Sequence, residues 1–380
     1  MEGKIDRLQR IEDIDAAAWN RLAPDDVYAQ HGWLRVVEVS VCEAVEPVYF
    51  LLREGGELLG AAICYVLRTR GSSLDEMWFG RLHRPFARIG LSLSPALYCG
   101  PMIGQGRHML WRRDTADPGF VVDRLLDAMT AFAETERLAL AVAKLPADQQ
   151  SLLDALNARR FIRTMNWPVS YLEIRWENLD AYVSALPGSS SRMRTTVRRE
   201  IAAPGKAGIR FTRPERFSTL SQELFDLVEA NHRAHSEQPL GLAPDFFRTL
   251  ERHHAGASIV TLACSDDGVT GVALLLTAGR CAGGPLIGVS DDARNRKAFT
   301  YFNLAFYEPI RICIERGLEG IWLGAGLYDM KRRRGCRERE LVMLVRPRST
   351  LGRAAARLWT AAHRRWVHRK LARDGVARPR

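Results

Sequence analysis

The stretch that decides the fold spans residues 315–335 and reads Glu-Arg-Gly-Leu-Glu-Gly-Ile-Trp-Leu-Gly-Ala-Gly-Leu-Tyr-Asp-Met-Lys-Arg-Arg-Arg-Gly. Apolar residues at helical spacing over 299–316 predict a helix that enters this stretch, and Gly317 is the residue at which it ends. Pro309 lies inside the helix, and we expect it to distort the helix because its ring displaces a backbone hydrogen bond.

After the helix, the sequence predicts a short strand at 320–323 and then a glycine-rich turn with Gly324 and Gly326. Glycine lets the backbone approach a ligand closely, and Lys331 follows this turn. A lysine at such a position can stabilise an oxyanion that develops in a transition state. The spacing alone favours a solvated basic turn over a catalytic lysine, and both interpretations stay open at this point.

Working outward, the same order of elements occurs twice along the chain. The first half predicts strands and helices in this order: strands 47–53, 58–68 and 96–103, a helix from Pro118, a strand at 138–145, a helix at 148–158 and a strand at 169–175. The second half predicts helices at 221–235 and 244–253, strands at 258–264, 270–278 and 281–289, the helix 299–316, and strands at 320–323 and 341–346.

This repetition predicts an α+β protein of two tandem units, each with a mixed, mostly antiparallel sheet flanked by helices. We place the first unit at 1–176 and the second at 191–348. The connection 177–190 contains Pro187-Gly-Ser-Ser, a composition typical of a flexible linker. Residues 349–380 form a basic tail.

The 315–335 block resembles the signature region of the Fem-like, BioF2-type acyltransferases of the GNAT superfamily. In that region a helix ends at a glycine, and a short strand, a Gly-rich turn, Tyr-x-x-Lys and a basic Arg-Gly stretch follow. The segment Ser-Arg-Met-Arg-Thr-Thr-Val-Arg-Arg-Glu at 191–200 is similar to the arginine-rich helix that opens the family's second GNAT unit. Trp19, the His-Gly-Trp-Leu segment at 31–34 and Gly-Pro-Met at 100–102 are similar to features of the first unit, so the resemblance extends over nearly the whole chain.

The resemblance implies one or two GNAT-like units and the transfer of an acyl or aminoacyl group to an amine. Its Tyr-x-x-Lys position corresponds to Lys331, which in the Fem branch acts at the transferred carbonyl. We therefore expect Lys331 to be catalytic, with Tyr328 and Asp329 holding or deprotonating the amine or protonating the leaving group. Tyr328 is equally compatible with a structural role at a strand end. Gly324, Gly326 and Arg334 are expected to contribute to donor binding.

Acyl-CoA and aminoacyl-tRNA are both donors in the family, and the segment 291–301 bears on the choice between them. GNAT enzymes that use CoA carry a loop of the form Arg/Gln-x-x-Gly-x-Gly/Ala before the helix, whereas this segment reads Asp-Asp-Ala-Arg-Asn-Arg-Lys-Ala-Phe-Thr-Tyr, without glycine. Its backbone N–H groups are less free to surround a diphosphate, which favours aminoacyl-tRNA slightly. Arg294, Arg296 and Lys297 remain candidates for donor phosphate contacts.

Two further groups of residues are candidate ligand sites. Arg194 and Arg198 lie at roughly helical spacing, which fits either phosphate or acceptor binding or a solvated helix face. His232 and His235 lie three residues apart on a predicted helix, but acidic or cysteine ligands at zinc-like spacing do not accompany them. We predict no metal and no tightly bound cofactor.

The charge of the chain is concentrated at one end. The formal net charge is +11, yet residues 331–380 contain 17 Lys and Arg against 3 Asp and Glu, so the other 330 residues have a net charge of −3. The tail predicts a basic amphipathic helix, whose apolar positions are Leu351, Ala355, Leu358, Trp359, Ala362, Trp366 and Leu371. It could pack on its own domain, contact RNA phosphates, or contact an anionic membrane surface without spanning it.

The first residues and the cysteines predict a cytoplasmic location. The charged start lacks an apolar segment of the secretory type, and no apolar run reaches the ~20 residues of a membrane helix. Seven scattered cysteines without a Cys-x-x-Cys pair are typical of buried, reduced thiols. A 380-residue chain with 47% hydrophobic residues also excludes wholesale disorder.

The sequence therefore predicts an N-acyltransferase that joins an acyl or aminoacyl group to an amine on a small molecule or a cell-envelope precursor. The alternative is a catalytically silent GNAT-like protein that binds RNA or an anionic membrane surface through a degenerate cleft and the basic tail.

Overall fold

Two β-sheets organise the chain in the computed structural model, which describes residues 3–42, 45–186, 191–235 and 239–373. Their strands, in chain order, are β1 Lys4–Leu8, β2 Val45–Glu54, β3 Glu57–Leu67, β4 Ala96–Cys99, β5 Met109–Trp111, β6 Ala139–Pro146, β7 Ile162–Met165, β8 Val169–Glu173, β9 Arg210–Thr212, β10 Ser258–Ser265, β11 Gly268–Ala278, β12 Cys281–Val289, β13 Gly320–Trp322, β14 Arg337–Arg339 and β15 Leu341–Arg346.

Helices cover the faces of both sheets. In chain order they are α1 Ala16–Asn20, α2 His31–Ser40, α3 Ser73–Phe79, α4 His83–Arg88, α5 Pro118–Thr135, α6 Gln150–Ala158, α7 Leu179–Ser184, α8 Ser191–Lys206, α9 Ser221–His235, α10 Phe246–His254, α11 Ala293–Lys297, α12 Thr300–Phe302, α13 Glu308–Glu315, α14 Tyr328–Arg333 and α15 Thr350–Arg373. Short 3₁₀ turns occur at Ile11–Asp13, Gly80–Leu82, Ser218–Leu220 and Ala255–Ala257. A π-helical segment, Asn303–Tyr307, immediately precedes α13 and Pro309, so the distortion expected from this proline is a wider helical turn.

The two sheets have the same topology. The first has the order β1-β2-β3-β4-β6-β15-β7, with β5 beside β3, and the second has the order β9-β10-β11-β12-β13-β8-β14. Each has one parallel pair, β4 with β6 and β12 with β13, among antiparallel neighbours. The helix between the strands of each parallel pair is α5 in the first sheet, and in the second it is the helical stretch that ends with α13. This duplication confirms the predicted α+β class with two tandem GNAT-like units.

The sheets exchange their closing strands, which corrects the predicted assignment of two strands. β8 was expected to close the first unit, but it lies between β13 and β14 in the second sheet. β15 was expected in the second unit, but it lies between β6 and β7 in the first. Apolar alternation identifies a strand without identifying its partners, so the pattern could not reveal the exchange. The boundaries at 176 and 348 stay a prediction.

The connection between the units is also more ordered than its composition suggested. It contains α7, which begins at Asn178, whose side chain accepts a hydrogen bond from the Ala181 N–H at 2.8 Å. Tyr182 and Val183 on this helix are buried in the core of the second unit. The Pro-Gly-Ser-Ser part of the predicted linker, 187–190, lies outside the described residues.

One hydrophobic core joins the two halves. It contains Tyr49 and Leu51 from β2 together with Leu274 from β11, and the rings of Trp33 and Phe246 meet edge to face at 6.3 Å. The two units are therefore packed against each other through buried apolar side chains.

The C-terminal helix packs mainly on the first unit, although its Val367 also lies in a small buried cluster with Tyr328 of the second. The indole N–H of Trp359 donates to the Trp78 carbonyl at 2.9 Å, and its ring lies 5.6 Å from the Phe86 ring. Nδ1 of His363 lies 3.2 Å from the hydroxyl of Thr164. The predicted helix is confirmed; among its described side chains the buried ones are Ala356, His363 and Val367, and the predicted Leu351, Trp366 and Leu371 lie outside the described side chains.

The expected apolar stripe of this helix is therefore wrong in part: Leu358 is 77% exposed. Because the helix contains many alanines, its helical spacing is compatible with several apolar faces. The face that packs on the first unit differs from the one that the spacing predicted. Among the described residues, the helices are all too short or too polar to cross a bilayer.

Candidate active site

The central feature of the second unit is a gap between two diverging parallel strands. β12 and β13 pair only where 281–283 meets Gly320–Trp322. Beyond this point a small cavity of about 130 Å³ opens between Gly284 and Ile287 on one side and Leu323 and Ala325 on the other. Diverging strands leave backbone polar groups without a neighbouring strand, so such a gap suits an extended ligand.

A turn of left-handed residues forms one side of the gap. Gly324 and Gly326 have φ values of +69° and +77°, and Leu327 follows with +51°. A Cβ would meet no atom within 4 Å at either glycine, so conformation rather than space requires glycine here. Leu327 adopts this conformation at a cost of about 1 kcal/mol. The turn leads directly into α14, which carries Lys331.

Lys331 lies at the floor of the small cavity. Its side chain is 5% exposed, and Nζ donates to the carbonyl oxygens of Leu323 at 2.8 Å, Gly324 at 3.0 Å and Ala325 at 3.0 Å. Burial lowers the pKa of Lys331 to about 8, because the charged form loses its hydration. The ammonium group therefore orients three consecutive peptide carbonyls of the turn.

The neighbours of Lys331 on α14 point elsewhere. The hydroxyl of Tyr328 donates to the Pro168 carbonyl at 2.9 Å, which fixes α14 to the start of β8. Asp329 is exposed and pairs with Arg333 at 2.7 Å. The structure thus gives Tyr328 a structural contact and places Asp329 on the outer face, and their catalytic roles stay predictions.

A larger cavity of about 1310 Å³ adjoins the small one. Both are lined by the same four side chains: Leu286, Ile287, Tyr301 and Leu327. Its opposite wall is α9, which contributes Asp226 and His232. A ligand in the large cavity can therefore extend an acyl group towards Lys331.

Gly288 allows α9 to form this wall. A Cβ at Gly288 would overlap the backbone of Leu227, so only glycine permits this contact between α9 and β12. Asn231 adds a hydrogen bond from Nδ2 to the Ile287 carbonyl at 3.2 Å. The close approach fixes the width of the large cavity.

The sequence does not point to a substrate cavity at three of the polar residues that line it, and it presents His232 only as a possible metal ligand. Asp226 and His232 lie on α9, and the half-buried Tyr301 lies between the two cavities. Burial raises the pKa of the Tyr301 phenol. In the sequence, Asp226 and His232 are recognisable only as part of the polar side of the amphipathic helix α9, a pattern that also fits a solvated face.

The predicted donor-binding bases are only partly gathered at the cavity. Arg296 lines it, whereas Arg294 is exposed and pairs with Asp267 at 2.9 Å; Lys297 is exposed. They lie on α11, whose first turn is capped by the Asp292 carboxylate, which accepts from the Asn295 N–H at 2.8 Å.

Arg334 lies in the protein interior rather than at the cavity. It is 3% exposed, and its guanidinium donates to Glu200 Oε2 at 2.6 Å and to the Tyr307 hydroxyl at 3.0 Å. The hydroxyl of Tyr307 also donates to Glu200. This buried cluster attaches α8 to the end of α14, and the expected role of Arg334 in donor binding stays a prediction without a cavity contact behind it. Arg194 is half-buried and Arg198 exposed on α8, and neither lines the two cavities.

Comparison with known proteins identifies the family. Residues 10–372 match the FemAB-like family, described as acting in peptidoglycan biosynthesis or recognition. The chain belongs to this family. Membership confirms the predicted Fem-like group and the class of enzyme, an acyl or aminoacyl transferase. No curated protein matches the chain.

Solved structures support the fold of this FemAB-like protein. FemX superposes with a TM-score of 0.57 at 12% identity, over 89% of this chain and 96% of that one. The C-terminal domain of a protein described as a lysylphosphatidylglycerol synthetase, from Agrobacterium fabrum, gives a TM-score of 0.56 at 13% identity, over 91% and 95%. A tandem GNAT protein of the clavulanic acid pathway gives 0.50 at 12% identity, over 92% and 99%. At these identities the likeness shows the tandem GNAT fold alone.

Proposed function

We propose that this FemAB-like protein transfers an aminoacyl or acyl group to an amine of a cell-envelope precursor, with Lys331 acting at the transferred carbonyl. The observation that carries the proposal is the position of Lys331, which is buried at the floor of the gap between β12 and β13. The family's association with peptidoglycan supports an envelope acceptor.

The chemistry follows from the contacts of Lys331. A neutral amine attacks the carbonyl carbon of the donor, the carbonyl oxygen becomes an oxyanion, and the ester or thioester bond then breaks. The Lys331 ammonium can stabilise this oxyanion by exchanging one turn carbonyl, such as that of Ala325, for the substrate oxygen. With a pKa of about 8, Lys331 is mostly protonated at neutral pH.

The proton released by the amine needs an acceptor. Asp226 and His232 line the larger cavity from α9, and we propose them for this role beside the predicted Tyr328 and Asp329. Tyr328 would first have to leave the Pro168 carbonyl.

The loop before the long helix favours aminoacyl-tRNA over acyl-CoA as the donor. The Asp292 carboxylate accepts from the Asn295 N–H at the start of α11, and the adjacent Asp291 carboxylate is paired with Arg296. Phe299, rather than a glycine, has φ +54° at the start of α12. Carboxylates at a helix N-terminus compete with a diphosphate for the same backbone N–H groups.

Acyl-CoA remains the second candidate donor because Arg296 lines the cavity and can meet a phosphate through its side chain. The two donors separate in one assay. Purified protein is offered tRNA charged with mixed amino acids, with and without ribonuclease, beside a panel of CoA thioesters. Transfer abolished by ribonuclease supports tRNA, whereas transfer that persists and requires a thioester supports CoA.

The role of Lys331 is tested by Lys331→Met. We expect kcat to fall about 10²–10³-fold with little change in KM, as when an oxyanion donor is removed. Lys144→Met is the matched control, because Lys144 is a half-buried lysine of the first unit that also donates to backbone carbonyls. A folded Lys331→Met protein with full turnover would contradict the assignment. If the wild-type protein transfers no group from any donor but binds RNA or membranes in a salt-dependent way, the alternative of a catalytically silent binding protein would be favoured instead.

A further inference from the structure

Exposed aliphatic side chains are concentrated on one part of the first unit. Among the described residues, six large hydrophobic side chains are exposed: Val39, Leu82, Ile89, Leu91, Leu327 and Leu358. Three of them flank α4, where Leu82 is 45%, Ile89 71% and Leu91 46% exposed. Leu358 on α15 is the fourth. We call Leu82, Ile89, Leu91 and Leu358 the aliphatic face.

Two contacts connect the parts of this face. The ring of Phe86 lies 5.6 Å from the ring of Trp359. Phe86 is one helical turn from Leu82 and close to Ile89 in the chain, and Trp359 directly follows Leu358. The Phe79 ring lies 5.5 Å from the same indole. The C-terminal helix is therefore fixed beside α3 and α4 by an aromatic cluster whose members are close in sequence to the exposed aliphatic residues.

The segments that form the face carry only positive charge. From residue 77 to residue 91 the chain has three arginines and no Asp or Glu, and α15 (Thr350–Arg373) has seven Lys and Arg and no Asp or Glu. Arg88 beside Ile89 is exposed, as are Arg364 and Arg365 on α15. Outside residues 331–380 the chain is slightly acidic, so this concentration is local.

We propose that the aliphatic face docks on an anionic lipid membrane. Exposed aliphatic side chains insert at the boundary of headgroups and acyl chains, and surrounding arginines attract anionic headgroups. A nucleic acid would use the charges but would gain little from isoleucine and leucine, since it is bound by phosphate contacts and aromatic stacking. The exposed aliphatic residues therefore favour an anionic membrane over a nucleic acid as the partner of this face.

A cavity of the first unit opens beside the same helices. It measures about 670 Å³ and is lined by Met77 and His83 from the α3–α4 region and by Lys144 from β6. Nζ of Lys144 donates to the Pro101 carbonyl at 2.9 Å.

Sedimentation of the full chain with vesicles tests the proposal. Vesicles contain phosphatidylcholine alone or phosphatidylcholine with phosphatidylglycerol. We expect binding only to the anionic vesicles, and at least about tenfold weaker binding for Ile89→Ser/Leu91→Ser. Val39→Ser, which removes an exposed aliphatic side chain from α2, is the matched control and should bind like wild type. Thermal unfolding verifies that each variant is folded, and Leu358→Ser provides a second test site on α15.

The arginines are tested separately with Arg88→Gln/Arg365→Gln, against vesicles and against unfractionated tRNA. Weaker vesicle binding for both the aliphatic and the arginine variants supports docking on lipid. Failure of the wild-type chain to bind anionic vesicles would overturn the proposal. Vesicle binding that is unaffected by the aliphatic substitutions would also overturn the proposal. If, in that case, tRNA binding falls only with the arginine substitutions, the face would be assigned to RNA.

Discussion

Two buried amines, Lys331 and Lys144, have similar surroundings in opposite halves of the molecule. Each donates to consecutive backbone carbonyls, those of 323–325 for Lys331 and those of Pro101 and Met102 for Lys144. Burial lowers the pKa of each to about 8. We expect two of the six lysines to titrate near pH 8 in a ¹³C-lysine NMR experiment, and Lys331→Arg and Lys144→Arg assign them. Titration of all six near the ordinary pKa of about 10.4 would contradict this environment.

The same shift predicts how stability depends on pH. The pKa of Lys331 is lower in the folded chain than in the unfolded chain, so the unfolded chain binds more protons between pH 8 and about 10.4. Below pH 8 the buried charge of Lys331 therefore lowers the free energy of unfolding. This destabilisation disappears as the pH rises to the pKa of the lysine in the unfolded chain. The free energy of unfolding of wild type relative to Lys331→Met should accordingly increase over this interval.

At the level of elements, the contact between α9 and β12 determines the shape of the large cavity. Gly288→Ala should force these elements apart, because the new Cβ overlaps the Leu227 backbone. We expect a loss of about 1–3 kcal/mol in the free energy of unfolding and a higher KM for the donor. Gly256→Ala is the control, since a Cβ there meets no atom within 4 Å. Urea unfolding and donor kinetics measure both effects, and equal behaviour of the two variants would show that α9 is free to move.

Sequence periodicity predicts elements of this kind well and their partners poorly. The helix at Pro118–Thr135 and the hairpin of β2 and β3 follow from local apolar spacing and turn residues, as does the Lys331 turn from its glycines. Arg334 was assigned to donor binding because it follows Lys331 in the chain, yet its partner Glu200 lies 134 residues away. Such a pairing, like the placement of β8 and β15, depends on long-range packing that local pattern does not contain.

For the whole molecule, strand exchange makes the two halves depend on each other. If β15 is absent, the first sheet loses the strand that lies between β6 and β7. If β8 is absent, the second sheet loses the strand that lies between β13 and β14. The shared core adds apolar surface that either half would expose alone. The gap between β12 and β13 in the second sheet is therefore supported by a strand from the first half of the chain.

This dependence predicts the behaviour of a chain divided between residues 190 and 191. Expressed separately, 1–190 should lack β15 and 191–380 should lack β8, so each should aggregate or remain unfolded. Expressed together, they should form a stoichiometric complex with the circular dichroism of the intact protein, because every strand is then present. Division inside the hairpin at Gly55, which leaves both exchanges intact within one long fragment, is the control. A soluble, monomeric 1–190 fragment with cooperative thermal unfolding would show that the first sheet closes without β15.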